Sequence, residues 1–282
     1  MSQETVNSVT KLDIKKVFYS KNPKLARLIP GFIYRYLKRI IHQDYLNYIL
    51  EKYGDKQDLD FIDANMVEFN VTIEVSGTEK LPRKGRFIFV SNHPLGGFDG
   101  LVILKVVSKY YSPLKFLVND ILMNIKNLGG LFLPINKHGK QGIESARTIE
   151  ETYNSDTQVL TFPAGLVSRK IKGQIVDLVW QKNFIVKAVQ HQRDVIPIHI
   201  SGRNTNFFYR LANIRKALGI KSNIEMLYLV DETYKHHNKH LEVKFGKPIS
   251  WQTFDKTKKP IEWAKWVKEK AYELDGVTSI PL

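Results

Sequence analysis

Cysteine is absent from the chain, which excludes a disulfide framework, a thiolate nucleophile and a Cys-ligated metal and agrees with a reducing compartment. Acidic residues are scarce: 28 Asp and Glu stand against 43 Lys and Arg, a net charge of +15. Such a balance favours polyanionic partners, namely nucleic acid, anionic lipid headgroups, acidic carriers or phosphorylated substrates. No run of about 18 apolar residues occurs, so no membrane-spanning helix is expected. The opening MSQETVNSVTKLD lacks an apolar core and a small-residue cleavage site, and does not read as a secretion signal. A cytoplasmic location is therefore expected, and the Asn70-Val71-Thr72 sequon carries no weight. The remaining composition, 43% hydrophobic and 25% charged over 282 residues, is that of a globular protein able to bury a substantial core.

Residues 1–22 are polar without a sustained period and read as a loose arm. Across residues 28–50 apolar residues recur in pairs (Leu28/Ile29, Phe32/Ile33, Tyr36/Leu37, Ile40/Ile41, Ile49/Leu50), a helical spacing in which Pro30 is tolerable in a first turn. Arg27, Arg35, Lys38 and Arg39 fill the intervening positions. A basic amphipathic helix of this kind either lies in a membrane interface or packs its apolar face on the protein's own core. The texture changes at residue 66. MVEFNVTIEVSG, FIFV, LKFLVN, GGLFLPIN, QVLTFPAG, DVIPIHISG, EMLYLVD and LEVKFGKPI read as strands. Between or after them, 101–111, 120–127, 142–153, 179–190, 207–218 and 261–274 read as helices. The alternation predicts an α/β fold with a mixed, largely parallel central sheet flanked by helices, behind an N-terminal helical segment. The expected division is 1–65 for the arm and basic helices and 66–282 for the α/β domain.

The candidate chemistry lies in FIFVSNHPLGGFDGLVIL, where a strand pattern ends on Asn92-His93 and Asp99 opens the next apolar run. Six residues along a helix turn about 600°, which would place His93 and Asp99 on opposite faces. They can meet only across a non-helical turn. Pro94 pushes His93 toward extended backbone, and Gly96 and Gly97 permit a tight reversal. The plainer alternative makes Asp99 the N-cap of a helix beginning at Leu101. Ligand sites of open α/β sheets gather beyond the carboxyl ends of strands, where this pair sits. Two further strand-end turns carry basic or glycine residues suited to a phosphate or carboxylate: Asn136, Lys137 and His138 after one, Pro163, Gly165, Ser168, Arg169 and Lys170 after another. Each alternatively reads as a solvated loop. His236, His237 and His240 in KHHNKH suggest a metal cluster, but the run has no carboxylate or Cys of its own, so no metal is expected. Trp263 and Trp266 read as core or interface anchors.

The ordered set NHPLGGFD, GLFLPIN, FPAGLVS and VIPI resembles the four motif blocks of the glycerolipid acyltransferase family, whose best-known type is the 1-acylglycerol-3-phosphate acyltransferase. The resemblance spans roughly residues 80 to 250, with a late FGKPI similar to the family's closing strand. It implies acyl transfer from a thioester donor, acyl-CoA or acyl carrier protein, to the hydroxyl of a lyso-lipid acceptor, with no cofactor. His93 would be the general base and Asp99 would fix its tautomer and stabilise the imidazolium. Asn136, Lys137, Pro163, Gly165, Ser168 and Arg169 would line the substrate site, and the inner membrane face would be the working surface.

Three departures bear on the acceptor. Five residues separate His93 from Asp99, where the family usually has four. Asn136, followed by Lys137, replaces the Arg that closes the second block. In the third block, usually Phe-Pro-Glu-Gly-Thr-Arg-Ser, Ala164 takes the Glu position and Val167 the Arg position. The missing groups are those the family would use on glycerol phosphate. The resemblance implies 1-acylglycerol-3-phosphate or a related lysophospholipid as acceptor, and the missing groups make a lyso-amino-acid lipid such as lyso-ornithine or lyso-glycine lipid the alternative. A non-catalytic lipid- or carrier-binding protein is a rival reading. A nucleic-acid binder is disfavoured because no recognition motif or aromatic-basic interleaving is present.

Overall fold

The computed structural model describes residues 11–119, 122–135 and 139–277. Nine strands are present among them: β1 (Thr72–Ser76), β2 (Phe87–Ser91), β3 (Leu114–Val118), β4 (Phe132–Pro134), β5 (Gln158–Thr161), β6 (Arg169–Ile171), β7 (Gln174–Val176), β8 (Asp194–Ile200) and β9 (His240–Phe245). Seven of them form one sheet in the order β1-β9-β8-β2-β5-β3-β4. Every neighbouring pair is parallel except β8 with β9, so the sheet is mixed and largely parallel, as the alternation predicts. The helices are α1 (Ile14–Lys21), α2 (Pro23–Leu28), α3 (Gly31–Ile40), α4 (Gln43–Tyr53), α5 (Asp58–Glu68), α6 (Gly97–Val107), α7 (Gly139–Asn154), α8 (Asn183–His191), α9 (Asn206–Ala217), α10 (Leu229–Tyr234) and α11 (Pro260–Glu273).

Both faces of the central strands are covered, which is why β2 reads as an unbroken apolar run instead of an alternating one. Its side chains nevertheless divide with period two. Phe87 and Phe89 enter a core shared with Ile62, Phe98, Val102, Ile103 and Phe116. Ile88 and Val90 enter the opposite core with Trp180, Phe184, Val195 and Val267. Each fully buried side chain of this size contributes about 1.5–3 kcal/mol relative to exposure. The helices before β1 join the first core through Ile49, Phe61 and Ile62. Three polar contacts tie them to the segment around α10: Tyr36 to Tyr228 at 2.5 Å, His42 to Asp231 at 2.8 Å and Tyr45 to His237 at 2.8 Å.

Five local expectations are corrected. Residues 14–21, read as part of a loose arm, form helix α1, whose N-cap Asp13 accepts from the N–H groups of Lys15 and Lys16. Met66 to Glu68, read as the start of a strand, close α5 instead, because Phe61, Ile62 and Met66 follow a helical spacing against the core. EMLYLVD is not a strand; Ile224–Tyr228 is a 3₁₀ helix leading into α10. A short apolar run does not by itself distinguish strand from helix. Within the helix expected over 120–127, Leu122–Asn124 and Lys126–Leu128 are separate 3₁₀ turns. The segment after the third block forms a small antiparallel hairpin, β6–β7, outside the main sheet.

Candidate active site

The carboxyl end of β2 sets the site. Asn92 continues the strand with its side chain: its Nδ2 donates to Ile200 O at 2.9 Å, and its Oδ1 accepts from Ile200 N–H at 2.8 Å. That pair locks the end of β2 to the end of β8. His93 follows, and the chain reverses at Gly96, whose φ of 83° and ψ of −136° belong to a region glycine occupies and side-chain-bearing residues avoid. Helix α6 then begins at Gly97, four residues earlier than the sequence reading placed it. Gly100 allows α6 to approach the sheet, since a Cβ there would fall 2.6 Å from the Phe116 ring.

The reversal brings His93 and Asp99 together. Nδ1 of His93 lies 3.0 Å from Oδ1 and 3.1 Å from Oδ2 of Asp99. Asp99 also accepts from the N–H groups of Leu95 and Gly100, each at 2.9 Å. Being in the first turn of α6, its negative charge faces the positive end of the helix dipole. A carboxylate only accepts, so Nδ1 carries the proton and Nε2 holds the lone pair. Nε2 makes no hydrogen bond among the described residues, and the His93 side chain keeps 15% of its surface exposed while Asp99 is fully buried. Burial pulls the imidazole pKa down, but the charge and hydrogen bond of Asp99, aided by Asp177, leave it above its ordinary 6.5. One ring face stacks on Phe162, with centroids 4.1 Å apart.

Phe162 opens the turn after β5. Gly165 N–H donates to Phe162 O at 3.0 Å, and Pro163 O accepts from Gln181 N–H at 2.9 Å. The polar residues that follow point inward. Ser168 Oγ donates to Asp177 Oδ1 at 2.5 Å. Arg169 Nη2 donates to Glu225 Oε1 at 2.8 Å, and Glu225 lies 2.9 Å from Arg215 on its other oxygen. Val167 is buried with Phe208 and Tyr209.

A family model described as acyltransferase matches residues 16–279. The chain belongs to the acyltransferase family. It is 49% identical over 271 residues to a lyso-glycine lipid O-acyltransferase of Bacteroides thetaiotaomicron, covering 96% of this chain and 100% of that one. It is 47% identical, over 96% and 97% of the two chains, to a lyso-glycine lipid O-acyltransferase of Phocaeicola vulgatus. The fold is similar to the crystal structure of the 1-acyl-sn-glycerophosphate acyltransferase PlsC from Thermotoga maritima. There the TM-score is 0.50 at 18% identity, over 86% of this chain and 97% of the other.

Within this acyltransferase the structure joins some of the sequence-predicted site residues and separates others. His93 and Asp99 meet, and the Pro163–Gly165 turn flanks them through Phe162. Ser168 reaches the back of His93, whereas Arg169 is engaged with Glu225. Asn136, Lys137 and His138 lie outside the described residues. The three histidines of KHHNKH diverge: His236 stacks on Phe98, His237 on Phe69, and His240 pairs with Glu74. Trp263 is buried and Trp266 packs against the same core. Sequence reading missed Asp177, which accepts from His93 N–H at 3.1 Å and from Trp180 Nε1 at 2.8 Å. The one available signal was a single acid embedded in the apolar run IVDLVW, since an acid in such a run is buried and partnered or not tolerated.

Proposed function

We propose that this acyltransferase moves a fatty acyl group from a thioester, carried by coenzyme A or acyl carrier protein, to the hydroxyl of a lyso-glycine lipid. The observation that carries the chemistry is the His93–Asp99 pair with Nε2 left free. Nε2 takes the acceptor's hydroxyl proton as its oxygen attacks the thioester carbonyl. Asp99 holds the tautomer and offsets the imidazolium charge. The tetrahedral intermediate then collapses, the C–S bond breaks, and the departing thiolate takes the proton back from His93. The thioester is already activated, so no acyl-enzyme is required.

The acceptor reading rests on the names of the two relatives and their near full-length match. It also agrees with Ala164 and Val167 at the positions where the wider family carries the groups for glycerol phosphate. Purified protein is incubated with acyl-CoA or acyl-carrier protein and a panel of lyso-lipids, and free thiol is followed. Turnover fastest with lyso-glycine lipid, and a loss of about 10³-fold in His93→Ala, is the expected result. No turnover with any acceptor, or full activity in His93→Ala, refutes the reading.

The acceptor is a lipid, and the same proposal places the chain on an anionic membrane surface. Helix α3 leaves Phe32 63% exposed, next to Leu28 at 78%, with Arg35, Lys38 and Arg39 on the same short helix. No helix among the described residues is long and apolar enough to cross a membrane. Replacing the three basic residues by Gln is expected to abolish binding to anionic vesicles at low salt; unchanged binding removes the surface from the proposal.

A further inference from the structure

Asp99 fixes the ring of His93, but a ring is only as well placed as the backbone that carries it. His93 lies just past the end of β2, outside the sheet ladder, yet both of its main-chain polar groups are held. Its N–H donates to Asp177 Oδ1 at 3.1 Å, and its carbonyl accepts from Ser168 N–H at 2.8 Å. Ser168 Oγ returns to the same Asp177 oxygen at 2.5 Å, closing a small ring of bonds around the His93 peptide.

Asp177 is itself fixed on every side. Its other oxygen accepts from Trp180 Nε1 at 2.8 Å. Its main-chain N–H donates to the Tyr272 hydroxyl at 2.7 Å, and its carbonyl accepts from Lys268 Nζ at 2.7 Å. Tyr272 and Lys268 come from α11, so that helix braces the backbone of Asp177 and, through its carboxylate, the peptide of His93. Among the described residues no Lys, Arg or His side chain forms an ion pair with the Asp177 carboxylate. Three donors satisfy it instead, an arrangement that keeps a buried carboxyl group oriented.

We propose that Asp177 is a positioning residue for His93. Its carboxylate and the Ser168 amide clamp the histidine main chain, as Asp99 clamps the ring. This rests on the reading of His93 as general base, but it can be tested without turnover. The charged groups facing His93 are Asp99 from α6, Asp177 from the loop after β7 and Arg169 from β6. The two carboxylates favour the protonated imidazole and Arg169 opposes it. Removing the Asp177 charge should therefore lower the His93 pKa.

The test is Asp177→Asn, which preserves shape and removes the charge. Ring-nitrogen NMR titration, with His93→Ala supplying the assignment, should show the His93 pKa falling by about half a unit or more. In parallel, kcat should drop about tenfold with KM for both substrates unchanged. Should Asp177→Asn not fold, Trp180→Phe removes one donor from the carboxylate while keeping an aromatic ring in the core. It should lower kcat about threefold at unchanged KM. An unmoved His93 titration in Asp177→Asn overturns the inference, as does wild-type kcat in whichever variant folds. Wild-type protein with no turnover at all would refute the acyl-transfer reading instead, and the titration would still decide the role of Asp177.

Discussion

The turns after β2 and after β5 leave neighbouring parallel strands and touch through the stack of His93 on Phe162 and the hydrogen bond from Ser168 N–H to His93 O, yet they treat polarity in opposite ways. The first buries its acid and presents a nitrogen: Asp99 is enclosed, and Nε2 of His93 has no hydrogen-bond partner among the described residues. The second directs its polar side chains inward, Ser168 to Asp177 and Arg169 to Glu225, and fills the intervening positions with Ala164 and Val167, both buried. On the proposed acyl-transfer reading, the first turn is expected to activate the hydroxyl, while the Ala164–Val167 part of the second is expected to bear on which acceptor fits and its Ser168 end braces His93.

The largest effect that separates the two turns is expected at Arg169. Its side chain is 8% exposed and Glu225 is fully buried, so Arg169→Gln leaves part of a buried charge uncompensated and should cost about 3 kcal/mol of stability. Urea unfolding measures that loss. Well below the unfolding midpoint, KM for the acceptor should remain within about threefold of wild type. A tenfold rise in KM at unchanged stability would make Arg169 a substrate contact and break the comparison.

Next in size is Asp99→Asn, which should lower kcat/KM about 100-fold with the fold retained. The sign of its pH effect follows from the groups around His93. Burial lowers the wild-type imidazole pKa, but the charge and hydrogen bond of Asp99 together with Asp177 leave it raised above its ordinary value. The base must be unprotonated, so kcat/KM is expected to fall along an acidic limb as pH drops through that raised value. Without the Asp99 charge, burial and Arg169 dominate, and the limb moves to lower pH. A lower plateau with an unmoved limb would show that Asp99 does not set the state of the ring.

These two outcomes also mark what a sequence makes legible. The His93–Asp99 contact spans six residues and is written in local signals, a proline that extends the chain and glycines that reverse it. The clamp beneath it spans 84 residues from His93 to Asp177 and 95 from Asp177 to Tyr272, and no local pattern encodes such distances. Arg169 was expected to line the substrate site, with a solvated loop as the alternative, because its partner Glu225 is 56 residues away, in a segment read as a strand. The parallel core of the sheet was readable because buried strands between helices leave apolar runs. The antiparallel placement of β9 between β8 and β1 was not, since strand order is set by long-range packing.

The smallest effects come from two glycines, one in each turn. Gly96 has a φ of 83°, and a Cβ there would sit 3.2 Å from Leu229. Gly96→Ala should cost about 1–3 kcal/mol of stability and also lower kcat, because the strain is relieved by moving the turn that carries Asp99. Gly165 has a φ of 66°, but a Cβ there would meet nothing within 4 Å. Gly165→Ala therefore carries only the left-handed backbone penalty, about 1 kcal/mol, and should leave kcat within about twofold. Thermal unfolding and thiol release on the two variants give both quantities. Equal losses of kcat would mean that the second turn places His93 through its Gly165 portion as well as through Ser168, and the expected division of labour between the turns would no longer hold.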